Sequence, residues 1–286
     1  MLIGGERGVL VTFHGVRGST PCHGEDVQRY GGNTSCVSLA VPGQRPILFD
    51  LGTGLRYFGL TQPIDGTFRG ACLLTHLHWD HAQGLPFFKP ILAAGAELDI
   101  YGPVQPDGRT LDEAVRNFLS PPHVPVGIDA LPGTIRIHDV GNTEFRIGDA
   151  EITSRLVPHV GNTLDSVTWN GVSIAYISDH QMPLDGSFAA GANVRELVQD
   201  VDLLIHDAQY TPEEFAEARL GPLHSEFAVW LAREGNVRRL ALYHHDPVRD
   251  DTSMDALRSP APRTGLGGGI DVFAAAEGLA IHLDPS

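Results

Sequence analysis

The chain has 286 residues, 42% of them hydrophobic, and a formal net charge of −15. A chain of this length and ordinary apolar content can bury a substantial core. The negative charge opposes binding to polyanions, because affinity for nucleic acid depends on Lys and Arg side chains that neutralise phosphates. We therefore expect no large nucleic acid among its partners.

The sequence carries no sign of a membrane or secreted protein. No apolar run approaches the roughly 20 residues that a membrane-spanning helix needs. The first residues lack the basic and apolar regions of a signal peptide. Of the three cysteines, Cys36 and Cys72 lie in apolar runs typical of buried strands, and Cys22 lies in a loop. They form no CxxC pair, so we expect a cytoplasmic protein with no membrane partner and no disulfide framework.

Apolar and β-branched runs predict a chain rich in strands, with a few helices between them. In chain order, strands are predicted at Gly8–His14, Cys36–Val41, Pro46–Leu51, Ala71–Thr75, Glu97–Tyr101, Thr134–Val140, Thr143–Ile147, Ile152–Val157, Ser166–Trp169, Val172–Ile177, Val201–Ile205, Arg239–Tyr243 and Leu279–Leu283. Helices are predicted at Arg109–Leu119, Val194–Val198, Pro212–Arg219 and Ser225–Arg233. Two similar blocks of strands and helices favour one domain over residues 1–286, an α/β sandwich with helices outside two sheets.

The stretch Thr75–His81 reads THLHWDH and directly follows a short apolar run that predicts a buried strand. In extended backbone, alternate side chains share a face, so His76, His78 and Asp80 can converge on one point. His81 begins the next element and can turn back toward them. Imidazole and carboxylate groups are ligands of divalent metals, and four of them supply two adjacent ions. The alternative is a polar loop that is rich in histidine by chance.

Three more polar residues directly follow predicted strands: His159, Asp179 and His244. Active sites of layered α/β folds gather at strand ends, so we expect these residues to join the histidine cluster. Taken singly, each is equally typical of a solvated turn. The neighbouring His245 leaves the last position open between His244 and His245.

THLHWDH with these three residues resembles the HxHxDH…H…D…H signature of the metallo-β-lactamase-fold hydrolase superfamily, and DLGTG at residues 50–54 resembles its upstream Asp-Gly segment. The resemblance implies an αββα sandwich of two mixed β-sheets, with Asp50 supporting the metal loop. It implies two divalent metal ions, zinc first, with manganese or iron as alternatives. By the same resemblance, one ion is held by His76, His78 and His159, the other by Asp80, His81 and His244, and Asp179 bridges both together with a hydroxide.

Two further stretches resemble paired motifs of the phosphodiesterase branch, which includes tRNA 3′-processing endonucleases and phosphoribosyl cyclic-phosphate phosphodiesterases. They are LIHDAQY at residues 204–210 and GPLHSE at residues 221–226, although two extra residues interrupt the branch's Gly-His-Ser pattern. The resemblance implies that His224 donates a proton to the leaving oxygen and that Asp207 orients it. Such a proton donor contributes roughly 10²–10⁴-fold to the rate. Together with Asp80, these two residues are the catalytic candidates.

Glycine-rich segments near the N-terminus, at residues 15–21 and 29–35, offer backbone N–H groups, hydroxyls and guanidinium groups. Such groups suit a phosphate, so we expect Arg17, Asn33 and Ser35 to contact the substrate. The alternative is a rigid turn that only positions strands.

These features predict a dinuclear metal-dependent phosphodiesterase for small cyclic phosphodiesters, either a phosphoribosyl cyclic phosphate or a cyclic nucleotide, attacked by the metal-bridging hydroxide. The tRNA endonucleases carry a protruding arm between the positions matching His159 and Asp179, which here are only 20 positions apart. The short spacing and the negative charge therefore disfavour tRNA. The alternatives are a lactonase or other carboxylic-ester hydrolase and, less favoured, a tRNA 3′-endonuclease or a non-catalytic metal-dependent binding protein. A homodimer is compatible with each of them.

Overall fold

The computed structural model describes residues 8–157, 163–180, 187–209, 225–257 and 269–285. Within these ranges the strands are β1 (Val9–Gly15), β2 (Cys36–Ala40), β3 (Ile47–Phe49), β4 (Arg69–Leu73), β5 (Glu97–Pro103), β6 (Thr134–Val140), β7 (Thr143–Ile147), β8 (Ala150–Leu156), β9 (Thr163–Trp169), β10 (Val172–Ile177), β11 (Leu203–Asp207), β12 (Arg239–Tyr243), β13 (Asp271–Ala274) and β14 (Ala280–Leu283). The helices are α1 (Leu55–Leu60), α2 (Trp79–Ala82), α3 (Leu111–Phe118), α4 (Ala192–Val198), α5 (Ser225–Glu234) and α6 (Asp251–Leu257).

The strands of the described ranges form two mixed sheets of seven strands each. The first sheet has the order β14-β1-β2-β3-β4-β5-β6 and the second the order β13-β12-β11-β10-β9-β8-β7. Strands β3 to β6 run parallel, as do β10 to β13, and the remaining pairs are antiparallel. Parallel neighbours end at the same sheet edge, so residues that follow β3 and β4, or β10, β11 and β12, gather there.

The layer between the two sheets is apolar and rich in aromatic side chains. Phe49 of the first sheet stacks on Tyr176 of the second, with ring centroids 4.5 Å apart and planes 8° apart. Phe13 and Trp169 are likewise buried in this layer. Strand alternation places neighbouring residues on the opposite faces, where Leu48 and other apolar side chains pack against the helices. The second sheet is covered in the same way by α4 and α5.

The predicted α/β sandwich of two mixed sheets with helices outside is confirmed. Of the strands, β14 pairs with β1 at a sheet edge, as expected for Leu279–Leu283. Helix α3 begins after Thr110, whose hydroxyl and Glu113 form a capping box. The predicted helix Pro212–Arg219 lies outside the described residues. Within the described ranges, no helix is long and apolar enough to cross a membrane.

Four elements were not predicted: α1, α2, α6 and β13. Each is short, between four and seven residues. Helix α1 follows Gly54 and has no side-chain cap, so its sequence carries none of the usual start signals. Strand β11 begins at Leu203 rather than Val201 and extends to Asp207, which moves Asp207 from a following loop into the strand itself.

Candidate metal centre

The candidate centre lies where the carboxyl edges of the two sheets meet. From the first sheet, Asp50 follows β3 and the THLHWDH segment follows β4. From the second sheet, Asp179 follows β10, Asp207 ends β11 and His244 follows β12. The register pairs Ile177 with His206 and Asp207 with Tyr243, so these three strand ends are level with one another.

The THLHWDH segment changes conformation in its middle. The backbone is extended at His78, and α2 begins at Trp79. The expectation that extended backbone carries Asp80 to the centre is therefore wrong, because Asp80 and His81 lie in the first turn of a helix. His76 and His81 are buried, His78 is exposed, and His76 Nε2 lies 2.7 Å from His78 Nδ1.

Four donor atoms converge between the sheets. His81 Nε2 lies 3.0 Å from a carboxylate oxygen of Asp179, 3.2 Å from one of Asp80 and 3.2 Å from His244 Nε2. His244 Nε2 is also 3.0 Å from the Asp80 oxygen. Imidazole lone pairs and carboxylate oxygens that face one another so closely suit a cation.

Three overlapping groups of potential ligands result. Within each group the donor atoms all lie within 4.8 Å of one another: His76, His81 and Asp179; Asp80, His81 and His244; and Asp179, Asp207 and His244. The groups share His81, Asp179 and His244, so they fit neighbouring divalent ions. His159, the expected third ligand beside His76 and His78, lies outside the described residues.

Asp50 fixes the first half of the centre from behind. Its carboxylate accepts hydrogen bonds from the backbone N–H of Thr75 (2.8 Å), the hydroxyl of Thr75 (2.9 Å) and the hydroxyl of Tyr176 (2.8 Å). It also lies 2.7 Å from His81 Nδ1. A carboxylate on one ring nitrogen directs the other nitrogen toward a metal. The positive φ of Asp50, 59°, turns this carboxylate inward at the end of β3.

Asp207 has a matching position behind His244. One carboxylate oxygen of Asp207 lies 3.3 Å from His244 Nδ1, and the other accepts the backbone N–H of Gln209 at 2.8 Å. His244 also has a positive φ, 56°. A Cβ on Gly18 would lie 2.5 Å from the His244 ring, so only glycine fits beside this imidazole without displacing it.

The structure brings His244, rather than His245, to the centre. His245 Nε2 lies 3.0 Å from the carbonyl oxygen of Ala275, away from the converging donors. Burial lowers the pKa of His245 to about 3, so its imidazole stays neutral.

The opposite charges of the centre shift the pKa values of its side chains. Burial alone would raise the pKa of Asp80, but the imidazoles of His81 and His244 hold it well below its ordinary value. Burial would likewise lower the pKa of His81, and the carboxylates of Asp50, Asp179 and Asp80 instead raise it. Burial raises the pKa of Asp207 to about 6. Buried carboxylates that need positive charge beside them are typical of metal centres.

The expected substrate contacts of Arg17 and Ser35 need correction, because both side chains are fully buried. The Arg17 guanidinium donates to the backbone carbonyls of Gly31 (2.8 Å) and Arg249 (2.7 Å), which ties the N-terminal loop to the opposite sheet. Asn33 is half-buried, and its amide donates to Glu277 at 2.9 Å. These groups hold the loop in place, as the alternative interpretation of a positioning turn supposed.

The sequence did not identify Ser19 as a partner of Asp80 or Tyr176 as a partner of Asp50. The backbone N–H of Ser19 donates to an Asp80 carboxylate oxygen at 2.7 Å, and the Ser19 hydroxyl accepts from Gln209 at 3.1 Å. Any residue type except proline can supply a backbone N–H donor, so the sequence does not identify this contact. Only the glycine-rich character of the loop indicated that backbone donors are present there. The proposed proton donor His224 lies outside the described residues, so the orienting role of Asp207 toward it stays a prediction.

Comparison with known proteins agrees with this geometry. A family model described as "Beta-lactamase superfamily domain" matches residues 45–245. The Ribonuclease Z of Methanopyrus kandleri is 27% identical over 231 residues, which are 73% of this chain and 79% of that protein.

Two solved structures share the fold. Human tRNase Z, short form, superposes with a TM-score of 0.68 at 21% identity, covering 95% of this chain and 98% of its own. A diphosphatase from the PhnP family gives a TM-score of 0.67 at 16% identity, covering 97% and 98%.

The relative named as a ribonuclease contradicts the expectation that this chain has no large nucleic acid among its partners. That expectation was wrong because it used the net charge of the whole chain. Phosphate binding depends on the local field, and divalent cations held by these ligands would reverse the local sign.

Proposed function

The chain belongs to the beta-lactamase superfamily and is a metal-dependent hydrolase, and we propose that it cleaves phosphodiester bonds, with RNA as its first candidate substrate. The observation that carries the proposal is the convergence of Asp80, His81, Asp179 and His244, with donor atoms 3.0–3.5 Å apart. A carboxylate at position 179, where a cysteine would indicate a β-lactamase, favours a diesterase.

We assign His76, His78 and His159 to one divalent ion and Asp80, His81 and His244 to the other, with Asp179 between them. Zinc suits this imidazole-rich set, and manganese or iron remains compatible with the carboxylate bridge. When bound, two such ions lower the pKa of a water molecule and neutralise the charge of a phosphodiester.

The residues behind the ligands supply preorganisation. Asp50 and Asp207 fix the ring orientation of His81 and His244, and Ser19 fixes one oxygen of Asp80. Because these partners are buried and bonded before substrate arrives, little reorganisation is left for the reaction itself. Of the assigned ligands on the THLHWDH segment, His78 is exposed, whereas His76, Asp80 and His81 are buried.

From the sequence alone, we assign to His224 the role of proton donor to the leaving oxygen. An alkoxide is a poor leaving group, so loss of the donor should reduce cleavage roughly 10²–10⁴-fold. A p-nitrophenolate needs no proton and should leave almost as fast from His224→Ala as from the wild type. Equal losses on alkyl and p-nitrophenyl diesters would contradict this role.

RNA is the first candidate because the relative at 27% identity is named Ribonuclease Z. Small cyclic phosphodiesters are a second candidate, supported by a specific observation. Strands β9 and β10 are joined by a tight turn at Asn170 and Gly171, so the hairpin carries no protruding arm. A hairpin without that arm offers no extended surface for tRNA, which favours a smaller diester.

The test is turnover of four substrates by one preparation whose metal content is measured: a 3′-extended tRNA precursor, a 2′,3′-cyclic nucleotide, a ribose cyclic phosphate and a lactone. We expect metal-dependent cleavage of at least one diester and none of the lactone. Cleavage of the lactone alone would overturn the diesterase and favour the carboxylic-ester alternative. A protein that binds metal and turns over none of the four would favour the binding-protein alternative.

A further inference from the structure

An exposed aromatic pair borders the candidate centre. The indole of Trp79 is 60% exposed. Its ring centroid lies 5.0 Å from that of Phe118, with the planes inclined by 58°. Phe118 is the last residue of α3 and only partly buried, so the two rings form one apolar surface in contact with solvent. We call these two residues the aromatic platform.

The position of the platform is fixed by the chain itself. Trp79 stands between His78 and Asp80, and consecutive Cα atoms are about 3.8 Å apart. Its neighbour Leu77 packs inward against the core on the outer face of the first sheet. His78 is exposed as well, so two consecutive exposed side chains, one of them an assigned ligand, lie directly beside Asp80 of the centre.

We propose that the aromatic platform stacks against a nucleobase of the substrate, adjacent to the phosphate held at the centre. This inference rests on the proposed phosphodiesterase function and names a recognition element for it. A base within one nucleotide of the reacting phosphate comes within reach of a tryptophan that lies between two ligands. Stacking of a base on an aromatic side chain contributes roughly 1–3 kcal/mol.

The charge of the chain favours this mode of binding. There are 35 Asp and Glu against 20 Lys and Arg, so few cations are present to neutralise a phosphate backbone. Arg116, two residues before Phe118 in α3, is already engaged, since it bonds to Asp112 and Asp129. Stacking needs no cation, and it would let an acidic protein hold a nucleotide with little dependence on salt.

A protein partner fits this surface less well. A specific protein interface buries about 800 Å² on each partner, whereas the platform consists of two side chains. A second copy of this chain is the remaining occupant to test, because exposed aromatic residues also occur at dimer interfaces.

The test compares binding of adenosine 5′-monophosphate and of ribose 5-phosphate to the metal-loaded protein. The two ligands share the phosphate and differ in the base, and neither contains a diester. Tryptophan fluorescence reports the contact through comparison with Trp79→Leu, because Trp79 is exposed, Trp169 is buried in the core, and the half-buried third tryptophan, Trp230, remains in the variant. We expect the nucleotide to quench the fluorescence and to bind about 5- to 150-fold more tightly than the sugar phosphate.

The variant Trp79→Leu should abolish that preference, and Trp79→Phe should retain most of it. Phe87→Leu is the matched control, because Phe87 is 64% exposed and lies outside the platform. Unchanged base preference in Trp79→Leu, with metal content intact, would overturn the proposal. So would a wild type that self-associates through Trp79, seen as a smaller particle for Trp79→Leu in size-exclusion chromatography.

Failure of the proposed function gives a different result. Suppose that no diester is cleaved, while the nucleotide quenches the fluorescence of the wild type and not that of Trp79→Leu. That result would support base stacking on the aromatic platform and contradict the proposed phosphodiesterase function. If diesters are cleaved but the nucleotide and the sugar phosphate bind equally tightly, the phosphodiesterase function is supported and base stacking on the aromatic platform is contradicted.

Discussion

The two halves of the centre are built by different means. On the first sheet, His76, His78, Asp80 and His81 follow one strand within six residues, and one remote carboxylate, Asp50, supports them. On the second sheet, Asp179 and His244 come from different strands and are brought level by parallel pairing. The first half depends on local sequence with one buried anchor, whereas the second depends on the register of the sheet.

In both halves, nevertheless, a residue directly after a strand has the same unusual backbone conformation. Asp50 and His244 each adopt a positive φ directly after a strand, 59° and 56°. Such backbone costs of order 1–3 kcal/mol for a residue other than glycine and persists where surrounding contacts fix it. Each residue thereby turns its side chain into the space between the sheets.

The largest expected effect comes from the carboxylate assigned to both ions. Asp179→Asn should lower kcat/KM on the order of 10³-fold, beyond the 10–100-fold typical of residues that only support a ligand. It should also lose one of two bound metals, because a neutral amide is a weaker ligand. Steady-state kinetics and elemental analysis measure both, with Asp202→Asn as a buried control that bonds Ser173. A variant that keeps two metals and most of its activity would contradict the assignment.

The anchor of the first half should affect both metal affinity and stability. Asp50→Asn should weaken metal binding about 10–100-fold by releasing His81. It should also destabilise the metal-free protein by about 1–3 kcal/mol, because Thr75 and Tyr176 lose a shared acceptor. Chelator competition measures the first effect and urea unfolding the second. Unchanged unfolding would show that Asp50 is not the anchor described.

The anchor of the second half should affect metal affinity alone. Asp207→Asn leaves an amide oxygen for the N–H of Gln209 but removes the carboxylate beside His244. We expect metal affinity to fall about 10–100-fold. The free energy of unfolding of the metal-free protein should change by less than about 1 kcal/mol, since few bonds are lost. A stability loss as large as that of Asp50→Asn would remove the contrast between the halves.

A carboxylate outside both halves offers the smallest expected effect. Asp165 of β9 is 1% exposed in the core, and burial raises its pKa from 3.8 to about 7. The folded state therefore binds this proton more tightly, so the contribution of Asp165 to stability is most favourable at low pH and is lost as pH rises from about 4 to 7.

Asp165→Asn should remove that dependence. A shift of this size corresponds to at most roughly 4 kcal/mol, and the buried amide still needs hydrogen bonds. We therefore expect a net gain of about 1–2 kcal/mol at pH 8 and little change at pH 4, measured by urea unfolding. The exposed Asp149→Asn is the control. A gain of equal size at both pH values would contradict the buried charge.

The sequence predicted the residues that follow buried strands better than those that act through the backbone. The strand patterns placed THLHWDH, Asp179 and His244 at one edge, where the structure brings their side chains together. Tyr176 could not be identified as a partner of Asp50, because a tyrosine within a strand has the same pattern as a core residue. Arg17 was misassigned because an arginine in a glycine-rich loop is typical of a surface.

The three-dimensional structure was also needed to decide which of two adjacent histidines is the ligand. His244 and His245 are equivalent in the sequence, and only the positive φ after β12 decides which one enters the centre. The expectation of no large nucleic acid among the partners failed for another reason, since total charge does not describe the field at one site.

The central claim is that the two halves together hold two divalent ions, and anomalous diffraction from crystals of the zinc-loaded protein at the zinc edge tests it most directly. The account predicts two peaks, one beside His76 and His78 and one beside Asp80, His81 and His244, with Asp179 between them. A single peak elsewhere, or none among these side chains at full zinc loading, would contradict it.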